Sequence, residues 1–163
     1  MTARYVGIDP GLRGAIAVVD GDAQLIALID TPVTAKRVDA PAIAAFLVSH
    51  EPLRFVALEA QHAMPAQGAT SGFRLGETYG LLRGILATLG TPSLEVRAAA
   101  WQKRILAGQS GGDSKTRSMR FAAARWPDAV LATPRGRQLD GRADALCLAL
   151  YARDRGANAQ GPA

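Results

Sequence analysis

RYVGIDPGLRGAIAVVD, residues 4–20, is the stretch whose reading decides the fold. An apolar run reaches Asp9, breaks at a Pro-Gly turn and resumes as GAIAVVD. Short apolar runs bounded by such turn formers read as strands. The Asp-Gly-Asp at 20–22 is a hairpin signal leading into AQLIALID. The chain therefore opens with three short antiparallel strands. Asp9 is out of keeping with its surroundings: a carboxylate at the end of a buried strand needs a partner.

Outward from this stretch, Asp39 reads as the N-cap of a helix through APAIAAFLVSH, and RFVALEA is a fourth strand that ends near Glu59. QHAMPAQGATSG is a polar, Gly-rich loop before a long helix over residues 71–89. Leu75, Tyr79, Leu82, Leu86 and Leu89 form an apolar stripe at helical spacing. Gly76, Gly80 and Gly84 form a second stripe. Each mid-helix Gly costs on the order of 1 kcal/mol against Ala, so the stripe points to a surface where another backbone comes close, from the sheet or from a second subunit. PSLEVRA is a fifth strand, AAAWQKRILA a short helix, GQSGGDSK a flexible loop and KTRSMRFAAARW a basic helix. Residues 127–139, rich in Pro, Gly and Arg, read as mobile, and a last helix covers 140–153. The expected architecture is α/β: a five-stranded mixed sheet flanked by helices. Residues 1–155 make a single domain, and 156–163 a disordered tail.

The chain has no apolar run near the roughly 20 residues that cross a bilayer, and its start shows no signal pattern. Cys147 is the only cysteine, which excludes an internal disulfide framework and a Cys-rich zinc site; within an apolar helix it reads as a buried, inert thiol. A cytoplasmic protein with no membrane partner is expected. The net charge is +5 and is unevenly spread. Residues 97–142 hold ten Lys and Arg against three acids, a local +7 that leaves −2 for the rest. Such a field suits a polyanion, and a solvated Arg-rich surface is the plain alternative.

LDGRADALCLALY places Asp140 and Asp144 four residues apart, on one face of the last helix. If the first and fourth strands are neighbours, Asp9 and Glu59 face each other at one sheet edge, and the helix pair completes a cluster of four carboxylates. Their mutual repulsion raises their pKa values unless cations neutralise them. An oxygen-only ligand set suits hard divalent ions, and two such ions can clamp a phosphodiester. Each acid also has a structural reading: Asp140 as a helix cap, Asp144 as a first-turn acid, Asp9 as a cap of the Pro10-Gly11 turn, Glu59 as the partner of an arginine.

In sequence order these segments resemble the RuvC-type Holliday junction resolvases, members of the ribonuclease H-like nucleases. GIDPGLRGAIAVVD resembles the first-strand motif and carries over to Asp9; VALEAQHAMPAQGATSGFRLGETYGLLRGI resembles the Glu strand, substrate loop and dimerisation helix and gives Glu59. EVRAAAWQKRILAG with GGDSKT resembles the DNA-touching region, with Lys103 and Lys115 at matching places, and GRADALCLAL gives Asp144. The wording AMPAQG looks most like phage or prophage members. Two departures stand out. The last two acids are three apart in typical bacterial members and four apart here, and His62 stands where those enzymes often carry a stacking aromatic.

The resemblance implies a ribonuclease H-like fold and a Mg²⁺-dependent endodeoxyribonuclease holding two ions per site, with Mn²⁺ as the substitute. Its metal ligands would be Asp9, Glu59, Asp140 and Asp144, with Lys115 also catalytic. His62, Lys103, Lys115, Arg117 and Arg120 would bind DNA. The implied substrate is a four-way junction, nicked in pairs by a homodimer in recombination or repair. The alternatives are another ribonuclease H-like nuclease, acting on branched DNA or RNA/DNA, and a non-catalytic junction-binding protein. An actin-like ATPase would need a longer, two-lobed chain.

Overall fold

The computed structural model describes residues 3–62 and 68–158. Strands β1 (Arg4–Asp9), β2 (Ala15–Asp20) and β3 (Leu25–Asp30) form the opening antiparallel meander. A two-stranded ribbon, β4 (Val33–Thr34) and β5 (Arg37–Val38), leads into α1 (Ala40–Ser49). Then come β6 (Leu53–Glu59), α2 (Ala69–Leu89), β7 (Ser93–Val96), α3 (Ala98–Ile105), α4 (Ser114–Arg125) and α5 (Asp140–Asn158). The main sheet has five strands in the order β3-β2-β1-β6-β7, with β6 and β7 parallel to β1. This is the expected mixed α/β sheet. The expected cap also forms, since the Asp39 carboxylate accepts the Ala42 N–H at 3.0 Å.

Alternation along β1 assigns the two faces. Val6 and Ile8 join Ile43, Leu47, Leu82 and Leu86 beneath α1 and α2. Tyr5 joins the opposite cluster, with Trp101, Ala122 and the buried run Ala145–Ala149 of α5. The apolar stripe of α2 thus faces the sheet. Its glycines do not: Gly76, Gly80 and Gly84 are exposed, and a Cβ at any of them would meet nothing within 4 Å. Of the two partners expected for that stripe, the sheet is excluded.

Helix α5 runs antiparallel to β1 with almost no gap. A Cβ at Gly7 would lie 2.1 Å from the Ala145 carbonyl oxygen and 2.2 Å from the Ala149 nitrogen. At one end of the contact, a Cβ at Gly141 would lie 2.5 Å from the Arg13 carbonyl oxygen and 3.0 Å from Asp9 Oδ2. At the other, Gly156 abuts Tyr5 and Phe55. Because Gly156 packs there, α5 continues to Asn158, past the expected end at 153 and through the first residues of the expected disordered tail; residues 159–163 lie outside the described part. Cys147 is fully buried as expected, and burial pushes its thiol pKa up.

Residues 127–139 are tied down, contrary to the mobile segment expected. Ala132 bridges Gln138, the Leu139 N–H donates to the Leu131 carbonyl at 2.9 Å, and the tip closes through Gly136 N–H to the Thr133 carbonyl at 2.8 Å. Gly7→Ala should lower stability by about 3 kcal/mol or more, because the added methyl meets α5 backbone that cannot rotate away. Urea denaturation measures this; an unchanged midpoint would contradict the close contact of α5 with β1.

Candidate functional site

The face that carries Gly7 on β1 also carries Asp9, two residues on. On β6 the α5 face carries Ala57 and hence Glu59. The parallel register pairs Ile8 with Leu58, so the two acids end neighbouring strands at the same edge. The Gly141 contact sets the first turn of α5 over that edge and brings Asp140 and Asp144 with it. Three distant segments thus converge their carboxylates on one site.

The electrostatics record the convergence. Burial raises the Asp9 pKa to about 8, and the charges of Glu59, Asp144 and Asp140 add to the rise, while Lys115 opposes it. Asp144 is raised to about 6, chiefly by burial, with Ser118 hydrogen bonding against the rise and Glu59 and Asp140 adding to it. Glu59 is raised by burial and lowered by Trp101. Asp140 goes the other way: Lys115 Nζ donates to its Oδ2 at 2.5 Å and holds its pKa below the usual carboxylate range. Asp140 also accepts backbone N–H groups at the start of α5, so it caps the helix and faces the cluster at once.

Two residues that the sequence did not single out hold the acids. Trp101 is fully buried in α3, and its indole N–H donates to Glu59 Oε1 at 2.9 Å. Gln61 reaches Glu59 Oε2 only at 3.4 Å, which leaves that oxygen the freer of the two. Ser118, fully buried in α4, hydrogen-bonds Asp144 and also lies 3.1 Å from the Lys115 carbonyl. A buried indole or hydroxyl needs a partner, but the fold alone buries these two, so the sequence carried no signal of either contact.

Although the four carboxylates feel one another's charge, no three His, Cys, Asp or Glu among the described residues are close enough together to hold one metal ion. The acids gather at one edge without forming a finished cage. Of the expected DNA-binding residues, His62 and Lys103 are exposed, and the loop beyond His62, residues 63–67, lies outside the described part. Arg117 is half-buried, with its Nε lacking a hydrogen-bond partner among the described residues. Arg120 is engaged internally, donating to the Ser110 carbonyl at 2.9 Å and the Gly111 carbonyl at 3.1 Å. No helix among the described residues is long and apolar enough to cross a membrane.

No protein-family model matches the chain, and no curated protein matches it in sequence. Solved structures do. RuvC of Thermus thermophilus, in complex with a Holliday junction substrate, is similar over 94% of this chain and 97% of its own, with a TM-score of 0.66 and 18% identity. The Holliday junction resolvase of fowlpox virus matches over 91% and 95%, with a TM-score of 0.58 and 18% identity. The yeast mitochondrial resolvase Ydc2 matches over 96% and 80%, with a TM-score of 0.63 and 11% identity. At such identities the likeness is one of fold, and it covers 91–96% of this chain: the fold is the ribonuclease H-like one of these resolvase structures.

Proposed function

We propose that the chain is a metal-dependent endodeoxyribonuclease that resolves four-way DNA junctions by paired nicks from a homodimer, leaving 5′-phosphate ends. The observation that carries this is the convergence of Asp9, Glu59 and Asp144 on one sheet edge, in a fold shared with junction resolvases. Residues 1–155 act as one nuclease domain in the cytoplasm, in recombination or repair.

The donor set suits a divalent ion. All four candidate ligands, Asp9, Glu59, Asp140 and Asp144, offer only carboxylate oxygens, which favours Mg²⁺ or Mn²⁺ over softer metals. Among the described residues Lys115 is the only cation acting on Asp9, and its ammonium is already on Asp140. The shortfall of positive charge supports two ions per site, with the side chains drawn inward on binding. Bound ions would supply water activation and stabilisation of the departing 3′ oxygen. The chain's own groups do the rest. Trp101 fixes one oxygen of Glu59, and Ser118 orients Asp144. Lys115, 68% exposed, exchanges Asp140 for a phosphate oxygen of the scissile group. Lys103 in the last turn of α3 and Arg117 on α4 bind flanking phosphates, His62 contacts the junction from its loop, and Arg120 keeps the 110–111 turn in place for them.

Symmetric cleavage needs two matched sites, hence a two-fold dimer. The outer face of α2, open at Gly76, Gly80 and Gly84 beside exposed Leu81, supports that role.

Asp9→Asn and Glu59→Gln should each reduce junction cleavage by at least about 1,000-fold in Mg²⁺ while leaving junction binding intact. Cleavage at the wild-type rate by either would remove that residue from the mechanism. Offered a four-way junction, a fork, a flap and an RNA/DNA hybrid, the protein should make paired symmetric nicks in the junction alone. Light scattering at micromolar concentration should give twice 17.1 kDa; a fully active monomer would exclude the α2 interface. The cluster also bears on stability. The Asp9 pKa is raised on folding, so its carboxylate costs nothing below about pH 4 and its full penalty only above about pH 8. In chelator at pH 8.5, Asp9→Asn should melt about 5 °C or more above wild type, and the gap should close as the pH falls. Equal melting temperatures at pH 8.5 would show that the carboxylate is not under strain.

A further inference from the structure

Beside Asp140 opens a cleft of about 310 Å³, lined by residues of the β1–β2 turn, β3, the 131–139 hairpin and the first turn of α5. Five charged residues reach it: Arg13, Asp30, Arg137, Asp140 and Arg142. Three of them are internally matched. Arg142 makes a two-pronged pair with Asp30, at 2.6 and 3.1 Å, and its remaining arm donates to the Val130 carbonyl at 2.9 Å. Asp140 has Lys115. The guanidinium groups of Arg13 and Arg137 have no hydrogen-bond or ion-pair partner among the described residues. Two exposed arginines of the lining are thus unneutralised among the described residues, while both acids of the lining are paired.

Both arginines stand on fixed backbone. Arg13 is pressed on Gly141, whose Cβ would lie 2.5 Å from the Arg13 carbonyl oxygen. Arg137 is gripped by Thr133, whose N–H donates to the Arg137 carbonyl at 2.9 Å and whose hydroxyl accepts the Arg137 N–H at 3.1 Å. Gly136, at φ +80°, makes the turn that presents it. Arg142 braces the base of the same hairpin through Val130.

We infer that Arg13 and Arg137 form a phosphate-binding clamp for the DNA strand next to the scissile phosphate, a subsite separate from Lys103, Lys115 and Arg117. The inference rests on the nuclease reading above and deepens it. A guanidinium offers a planar fork of donors matched to phosphate oxygens, and here it need break no existing ion pair to do so. Because Asp140 lines the same cleft, a phosphate held there belongs to the strand that runs into the carboxylate cluster. The clamp would fix the register of that strand relative to the acids, in addition to supplying affinity.

The test uses the full-length protein in the Asp9→Asn background, so that binding is read without cutting. Arg13→Ala with Arg137→Ala should weaken binding to a four-way junction about tenfold, and should flatten the log–log salt dependence by about 1.8, or 0.9 for each phosphate no longer neutralised. Thermal melting checks that the double variant is folded, and the Arg13→Lys, Arg137→Lys pair should recover most of the salt slope. With Asp9 restored, the alanine pair should also scatter the positions of the nicks. Unchanged affinity and slope in a folded alanine pair overturn the clamp and leave the nuclease reading standing. If linear duplex binds as tightly as the junction, the junction reading falls, and the slope on duplex still decides the clamp. If the Asp9→Asn protein holds no DNA at all, both fall.

Discussion

The rest of the structure depends on the contact of one helix backbone with one strand backbone. At Gly7 the α5 main chain comes so close to β1 that any side chain would collide with it, and Gly141 repeats the condition at the end where Asp9 stands. Two fixed points set both the register and the rotation of α5. One residue of slip along a helix turns its face by about 100°. Such a slip would carry Asp140 and Asp144 away from Asp9 and put Gly141 and Ala145, or Leu139 and Ala143, where the acids belong. The geometry of the acidic edge is thus inherited from backbone packing and does not depend on attraction among the acids, which repel.

That repulsion has to be offset, and the packing shows where. The buried run of α5 covers β1, β2 and β6 at once, and Trp101 fills the space beside Glu59. Apolar burial of this kind is worth about 1.5–3 kcal/mol per large side chain. Individual polar bonds then limit the damage: the indole N–H relieves one oxygen of Glu59, Ser118 relieves Asp144, and Lys115 takes up Asp140. Among the described residues Asp9 has neither a hydrogen-bond partner of this kind nor an ion pair, and its pKa rises to about 8. Strain concentrated at a site and offset by a rigid core is the usual signature of a functional position.

Much of this was legible in the sequence. The turn after Asp9, the hairpin at 20–22, the strand ending in Glu59 and the final helix are all local patterns, and period-two alternation is enough to put both strand acids on one face. What escaped depends on distant partners or on unusual backbone. The β4–β5 ribbon turns at Ala35 and Lys36, both at positive φ without being glycine, so no turn former announced it. Trp101 is 42 positions from Glu59, and its role is invisible without the fold. The last helix runs past its expected end at 153 because Gly156, having no side chain, fits closely against Tyr5 and Phe55. The Pro/Gly/Arg composition of 127–139 suggested mobility, yet short-range hydrogen bonds and Arg142 close it into a hairpin.

Charge is where the sequence informed and misled together. The excess between residues 97 and 142 is real, but much of it is already engaged. Arg104 pairs with Asp154, Arg142 with Asp30 and Lys115 with Asp140, while Arg120 and Arg125 bind backbone carbonyls. A guanidinium held by a carboxylate adds little field at a distance, and one that satisfies carbonyls must release them before it can meet a phosphate. The field available to a polyanion is therefore narrower than the count implies, and part of it comes from outside the basic segment, through Arg13 on the opening turn. Counting residues locates a basic region. Which of its charges can act on a ligand is decided by the hydrogen bonds they have already made.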